Sequence, residues 1–140
     1  MEPLQQQKFP NPYHSTLLPY YREPGKTTGC VICDHLFSLL ATTKELHSEP
    51  LARLMGVDLR DLSGVTNLMF GMRLQDVIDQ WRLYQLCDVL RVTDFPLVEC
   101  ARKVGFRSAE TVCRVIQRNF GCTPEEWRQR VRSKCSDRCA

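Results

Sequence analysis

No stretch of these 140 residues is apolar for long enough to cross a bilayer, which takes about 20 consecutive apolar residues. The N-terminus lacks an apolar leader and is instead polar and broken by prolines, so a cytoplasmic protein is expected. Histidine is scarce: His14, His35 and His47 are scattered through the first third of the chain and read as surface residues. There is no glycine-rich phosphate loop and no pair of carboxylates at catalytic spacing. An enzyme is therefore not expected, and no cofactor is called for. An apolar content of 43% nevertheless supports a packed core, and 140 residues make one ordinary domain.

Charge is small in total, +3, but unevenly placed. Residues 1–100 hold nine Lys/Arg against twelve Asp/Glu, whereas residues 101–140 hold ten against four. A basic block at one end is the footprint expected where a polyphosphate is held. It stands equally for a solvated face until something places it on a binding surface.

The stretch Phe95–Arg128 supplies that placement. Pro96 suits the opening of a helix, where a missing amide costs nothing. Leu97, Cys100, Ala101 and Val104 then repeat every three or four residues, an apolar stripe. Gly105 allows the chain to turn, Phe106 plugs the corner, and Ser108 caps a second helix running to about Phe120. Gly121 stops it, and Thr123-Pro124-Glu125-Glu126 forms a capping box for a third helix. On the middle helix Val112, Val115, Ile116 and Phe120 fall on one side, with Glu110, Arg114, Gln117 and Arg118 on the other and Thr111 beside them. A short helix, a turn and an Arg-bearing second helix is the geometry that enters a DNA major groove. An ordinary amphipathic helix with a solvated basic face has the same pattern.

Arg82-Leu83, Leu90, Cys100-Ala101, Gly105-Phe106, Val112, Ile116, Phe120-Gly121, Thr123-Pro124 and Trp127-Arg128 stand in one order and spacing across some 47 positions. In this the chain resembles the DNA-binding domain of the AraC/XylS (arabinose-operon regulator) family of bacterial transcription factors. The resemblance implies an all-α fold: two helix-turn-helix subdomains, a homeodomain-like tandem, joined by a long connector helix. It leaves no room in these residues for a separate ligand-sensing domain.

The expected organisation is an irregular N-terminal arm over residues 1–29 and a DNA-binding domain over 30–134, with a short tail at 135–140. Within the domain, 30–71 form the first half, 73–92 the connector and 96–134 the second half. The arm carries Gln5-Gln6-Gln7 and five prolines, but also Tyr13, Leu17, Leu18, Tyr20 and Tyr21. Those aromatics suit docking on the folded body or on a partner such as RNA polymerase; a poorly ordered arm is the simpler expectation. A first helix is expected from Cys30 to about Thr43, with Ile32, Leu36, Phe37, Leu39 and Leu40 as its apolar side. Ser48 should cap the next, with Leu51, Leu54 and Met55 inward; Asp58 caps the one after it, which ends near Gly71. Beyond Trp127 the last helix turns basic and is expected to fray before Cys135.

The first half departs from the family's pattern. Where the family commonly has an Arg and then a Phe-Lys pair, this chain has Gly64 and Thr66-Asn67. The first unit is therefore read as a degenerate reader, with weak contacts from Arg60, Ser63 and Asn67. Alternatively, Gly64 lets DNA or a protein partner approach closely.

Eight cysteines complete the inventory. Cys87, Cys100 and Cys113 sit within helices as packing residues, and Cys122 at a turn. Cys30 and Cys33 have zinc-knuckle spacing, and Cys135 with Cys139 would complete four ligands; the pair also suits a redox switch if a helix start lowers a thiol pKa. Plain thiols remain the leading reading. For double-stranded DNA, Arg114 is the candidate for a guanine edge; the family resemblance implies further base contacts at the helix start, where Ala109 suits a thymine methyl and Glu110 cytosine N4. Arg107, Thr111, Arg118 and the amide end at Thr123 are candidates for phosphate. The competing class is a protein-interaction adaptor that keeps the fold without specific DNA binding.

Overall fold

The computed structural model describes residues 16–23 and 25–139, with side chains as far as Ser133. Among these the secondary structure is all helical, in eight elements: α1 (Leu18–Arg22), α2 (Val31–Thr42), α3 (Ser48–Met55), α4 (Leu59–Phe70), α5 (Leu74–Val92), α6 (Leu97–Val104), α7 (Ala109–Phe120) and α8 (Pro124–Cys139). The chain divides into two compact units, one within Pro12–Tyr84 and one within Gln85–Ala140. The long helix α5 contributes its first half to one and its second half to the other.

The first unit closes on Leu36, Leu40, Leu51, Leu62, Val77 and Ile78, each fully buried. Burying such a side chain is worth roughly 1.5–3 kcal/mol. Rings add to this core: Phe37 stacks on Trp81 at 5.0 Å between centroids, and Tyr21 meets Trp81 edge-on at 5.1 Å. Tyr21 belongs to α1, a short helix inside the stretch expected to be irregular. Proline in its first turn starts it, and the apolar side chain of Leu17 is wholly buried. Residues 1–15, including Tyr13 of the expected arm, lie outside the described residues.

Three local expectations need correction. Ile32 is exposed and Cys33 takes its place in the core. Leu54 is 60% exposed while Ala52 is buried, because the stripe on α3 follows Leu51-Ala52-Met55. Ser48 does not cap α3; His47 holds that position, and the Ser48 amide donates to Gln75 Oε1 at 2.9 Å. Gln75 also donates to Leu46 O at 2.8 Å, so one amide side chain satisfies both sides of the helix start.

Each unit contains a buried arginine whose charge is spent on backbone carbonyls. Arg82, 1% exposed, donates through Nη1 to Leu40 O (2.7 Å) and through Nε to Glu45 O (2.9 Å). Arg128, 8% exposed, donates from Nε to Leu90 O (2.7 Å) and from Nη2 to Phe95 O (3.1 Å). Both tie the end of one helix to the loop that leads into a helix-turn-helix. Helix C-termini leave carbonyls unsatisfied and carry partial negative charge, so a guanidinium suits this position. Burial lowers the Arg82 pKa from its ordinary value, and the Glu45 charge opposes that shift.

The second unit is built as its sequence suggests. Pro96 is the residue before α6, and Cys100, Ala101 and Val104 are buried on one face. Gly105 adopts φ 105°, a conformation L side chains rarely take, and the amides of Gly105 and Phe106 both donate to Ala101 O. Ser108 Oγ accepts from the Thr111 amide at 3.3 Å, capping α7. Thr123 and Glu126 form the reciprocal capping box: the Glu126 amide donates to Thr123 Oγ1 (3.1 Å) and the Thr123 amide to Glu126 Oε1 (3.0 Å). The helix it starts continues to Cys139, past the expected fraying point.

Candidate nucleic-acid interface

The two faces of α7 separate cleanly. Val112 and Ile116 are fully buried against the unit's interior, while Glu110, Arg114, Gln117 and Arg118 are exposed. Thr111 is half-buried, its hydroxyl 3.3 Å from Ser108 Oγ. Ala109, the first residue of the helix, is half-buried, and Arg107 is exposed in the turn just before it. Arg107, Ala109, Glu110, Thr111, Arg114 and Arg118 are therefore brought together on the start and outer side of one helix. Arg107 and Arg114 make no ion pair or hydrogen bond with the described residues, which leaves both guanidiniums available to an incoming anion.

Thr123 does not join this set as expected. Its amide already donates to Glu126, and Glu125 and Glu126 place two carboxylates in the same turn. A phosphate there would meet an occupied donor and negative charge.

The basic block is also smaller at the surface than it is in the sequence. Arg128 is buried, and Arg132 donates to the carbonyls of Arg91 (3.2 Å) and Thr93 and to Asp94 Oδ1 (2.6 Å). The hydrogen bond from Arg132, then its charge, hold the Asp94 carboxyl below its ordinary value. Arg102 pairs with Glu99 at 3.3 Å and Lys103 lies over the Phe95 ring at 5.5 Å. For Arg82 a sequence signal for burial was present, since Ile78 and Leu86, four residues to either side, place it on an apolar face; Arg128, with Glu125 three residues before it and Arg132 four after, carries no such signal.

In the first unit, Arg60, Ser63, Gly64 and Asn67 line one open groove together with Ser48, Arg73 and Gln75. Arg73 and Gln75 were missed because they precede and begin the connector rather than lying on α4. Ser63 is already engaged, its Oγ accepting from the Leu74 amide at 3.4 Å. Open space surrounds Gly64, so nothing among the described residues requires glycine there. Elsewhere the outer side of α4 carries the exposed Asp61 in its first turn and, further along, Leu68 88% exposed and Met69 40% exposed.

In the Cys30–Cys33 pair, burial, followed by the hydrogen bond with the Cys30 thiol, pushes Cys33 up to about 12, so Cys33 is not itself the lowered thiol that a redox switch needs. Burial raises the Cys87 thiol as well, as expected for a packing residue, whereas Cys113, expected to pack too, is exposed on α7. Among the described residues no group of three or more His, Cys, Asp or Glu is placed to hold a metal. The side chains of Cys135 and Cys139 lie outside the described residues.

Residues 51–130 match the model of a family described as "Helix-turn-helix domain". Among curated proteins, the chain is 36% identical over 73 residues to the RCS-specific HTH-type transcriptional activator RclR of Escherichia coli (strain K12), covering 52% of this chain and 23% of that protein. It is 38% identical over 58 residues to the regulatory protein SoxS of the same strain, covering 41% of this chain and 54% of SoxS. The matches thus span about a quarter to about half the length of these relatives. Among solved structures, the C-terminal domain of AraT, a response regulator from Geobacillus stearothermophilus, superposes with a TM-score of 0.64 at 18% identity, over 71% of this chain and 85% of that one. A transcriptional regulator from Chromobacterium violaceum, described as containing an AraC-type DNA-binding domain, does so with a TM-score of 0.60 at 24% identity, over 70% and 89%. At these identities the superpositions establish the fold.

Proposed function

The chain belongs to the AraC/XylS family of helix-turn-helix proteins, and from that premise we propose that it binds double-stranded DNA sequence-specifically and regulates transcription, chiefly through α7. The observation that carries the reading is the division of that helix. Its apolar side is fully buried at Val112 and Ile116, and its outer side presents Arg114 with no partner among the described residues. In this reading Arg114 grips a guanine through O6 and N7, and Ala109 and Glu110 meet bases at the start of the helix. Arg107, Thr111 and Arg118 hold phosphates and set the register. In the first unit, Arg60 and Asn67 add weaker contacts, with Arg73 beside them in the same groove.

A second reading, an interaction adaptor, draws support from Leu68 and Met69 on the outer side of α4. The two readings separate on one experiment, selection of binding sites from a pool of random duplexes. A DNA reader enriches a defined motif, and its affinity for that motif falls steeply with salt. A pool that stays random through repeated rounds would leave the adaptor.

A further inference from the structure

The first unit contains a cleft of about 400 Å³ between α1, the loop after it, α2 and α5 that the DNA-binding reading does not use. Its volume falls in the range of small-molecule sites, and such sites combine apolar walls with a few placed polar groups. Asp34, Phe37, Ser38 and Ala41 line it from α2 at spacings of three and four, the stripe that shares one helical face. The wall behind them is a continuous pile of rings: Tyr20 stacks on Phe37 at 5.7 Å, and Phe37 on Trp81 at 5.0 Å. The faces of Phe37 and Trp81 are taken up by each other and by Tyr20 and Tyr21, so the pile turns ring edges to the cleft, and such edges suit the face of a further aromatic ring in T-shaped contact.

Two lining residues are charged, and they differ in sign. Asp34 is half-buried, and both the Thr28 amide (2.8 Å) and hydroxyl (2.9 Å) donate to its Oδ1. That leaves Oδ2 as an acceptor fixed in place by the loop. Lys26 sits at the mouth with Nζ 5.9 Å from the Tyr20 centroid and 3.9 Å from Glu23 Oε1, a loose and exposed pairing that a better-placed anion can displace.

We propose that this cleft binds a small zwitterionic aromatic, of which a free aromatic amino acid is the simplest. The ring meets the edges of Phe37 and Trp81, the ammonium donates to Asp34 and Ser38, and the carboxylate meets Lys26. Such a ligand brings one charge for each charged lining residue and no net charge. A ligand bound here would stabilise the first unit by mass action.

The test uses the intact chain, its tryptophan fluorescence and three probes that do not themselves fluoresce in that window. These are phenylalanine, phenethylamine (ring and ammonium only) and 3-phenylpropionate (ring and carboxylate only). The proposal predicts saturable quenching by phenylalanine and at least about tenfold weaker binding of either truncated probe, the worth of one charge-assisted hydrogen bond. Asp34→Asn should weaken phenylalanine and phenethylamine but leave 3-phenylpropionate unchanged. Ala41→Leu, at an exposed position where extra bulk is tolerated, should fill the cleft and abolish all three. Absence of saturation by phenylalanine in the unaltered chain, equal binding of all three probes, or undiminished binding to Ala41→Leu would each overturn it.

Discussion

Arg82 and Arg128 show how differently one residue type is used in this chain. Arg114 faces outward with no partner among the described residues, whereas Arg82 is 1% exposed and donates to two carbonyls. Arg82→Met should therefore destabilise the chain by on the order of 3 kcal/mol, because Leu40 O and Glu45 O lose a charged donor. Urea unfolding checks this, and a change below about 0.5 kcal/mol, typical of surface sites, would contradict the role. Arg118→Ala is expected to weaken all duplexes alike, since a phosphate contact carries no sequence information. Competition between specific and random DNA reads this directly, and a loss confined to the specific site would make Arg118 a base reader. Asp94 gives a pH signature. Its folded pKa lies below its ordinary value of 3.8, so its contribution to stability is present above that value and is lost as pH falls through the lowered one. Thermal midpoints of the unaltered chain and Asp94→Asn should differ at neutral pH and converge in acid.

At the scale of elements, the two outward helices α4 and α7 have the same length and capping style but opposite outer chemistry. Asp58 and Ser108 cap them, and each ends at a glycine in the left-handed region. On α7 the outer side is charged, while on α4 it runs through Gly64 to Leu68 and Met69. Gly64 lies in a helix with open space around it, so Gly64→Ala should raise stability by roughly 0.5–1 kcal/mol, the difference in helix propensity. Thermal melting and DNA titration together decide what the glycine is for. Greater stability with unchanged binding fits an accessory first unit, and greater stability with lost binding would place a DNA or partner backbone against Gly64. The second half was legible in the sequence because its local signals agree. Pro96, Gly105, Ser108, Gly121 and the Thr123–Glu126 box each mark a boundary that the structure realises. The first half was less so. Ser48 looked like a cap, but a side chain from 27 positions away, Gln75, takes its amide, and no local pattern reveals that. Helix α1 was hidden by its prolines, since its packing depends on Trp81 and Phe37 far along the chain.

For the whole molecule, the net charge of +3 understates neither attraction nor repulsion so much as it hides where charge is used. Arg128 and Arg132 serve the second unit's own carbonyls, so the surface proposed to meet DNA is narrower than the count of basic residues suggests. Candidate site residues were legible wherever a single amphipathic helix carries them, and illegible where, as at Arg73, another element supplies them. In the proposed reading a narrow basic face still makes affinity fall with salt, while discrimination rests on Arg114. The most direct measurement is a fluorescence anisotropy titration of the intact chain against a duplex selected from a random pool and against unselected duplex, at matched salt. We predict a preference of about a thousandfold or more for the selected duplex. Arg114→Ala should weaken binding to the selected duplex by roughly 1–3 kcal/mol while leaving the unselected duplex nearly unchanged. Equal affinity for both duplexes, or a preference that survives Arg114→Ala intact, would contradict the assignment of α7 as the reading helix.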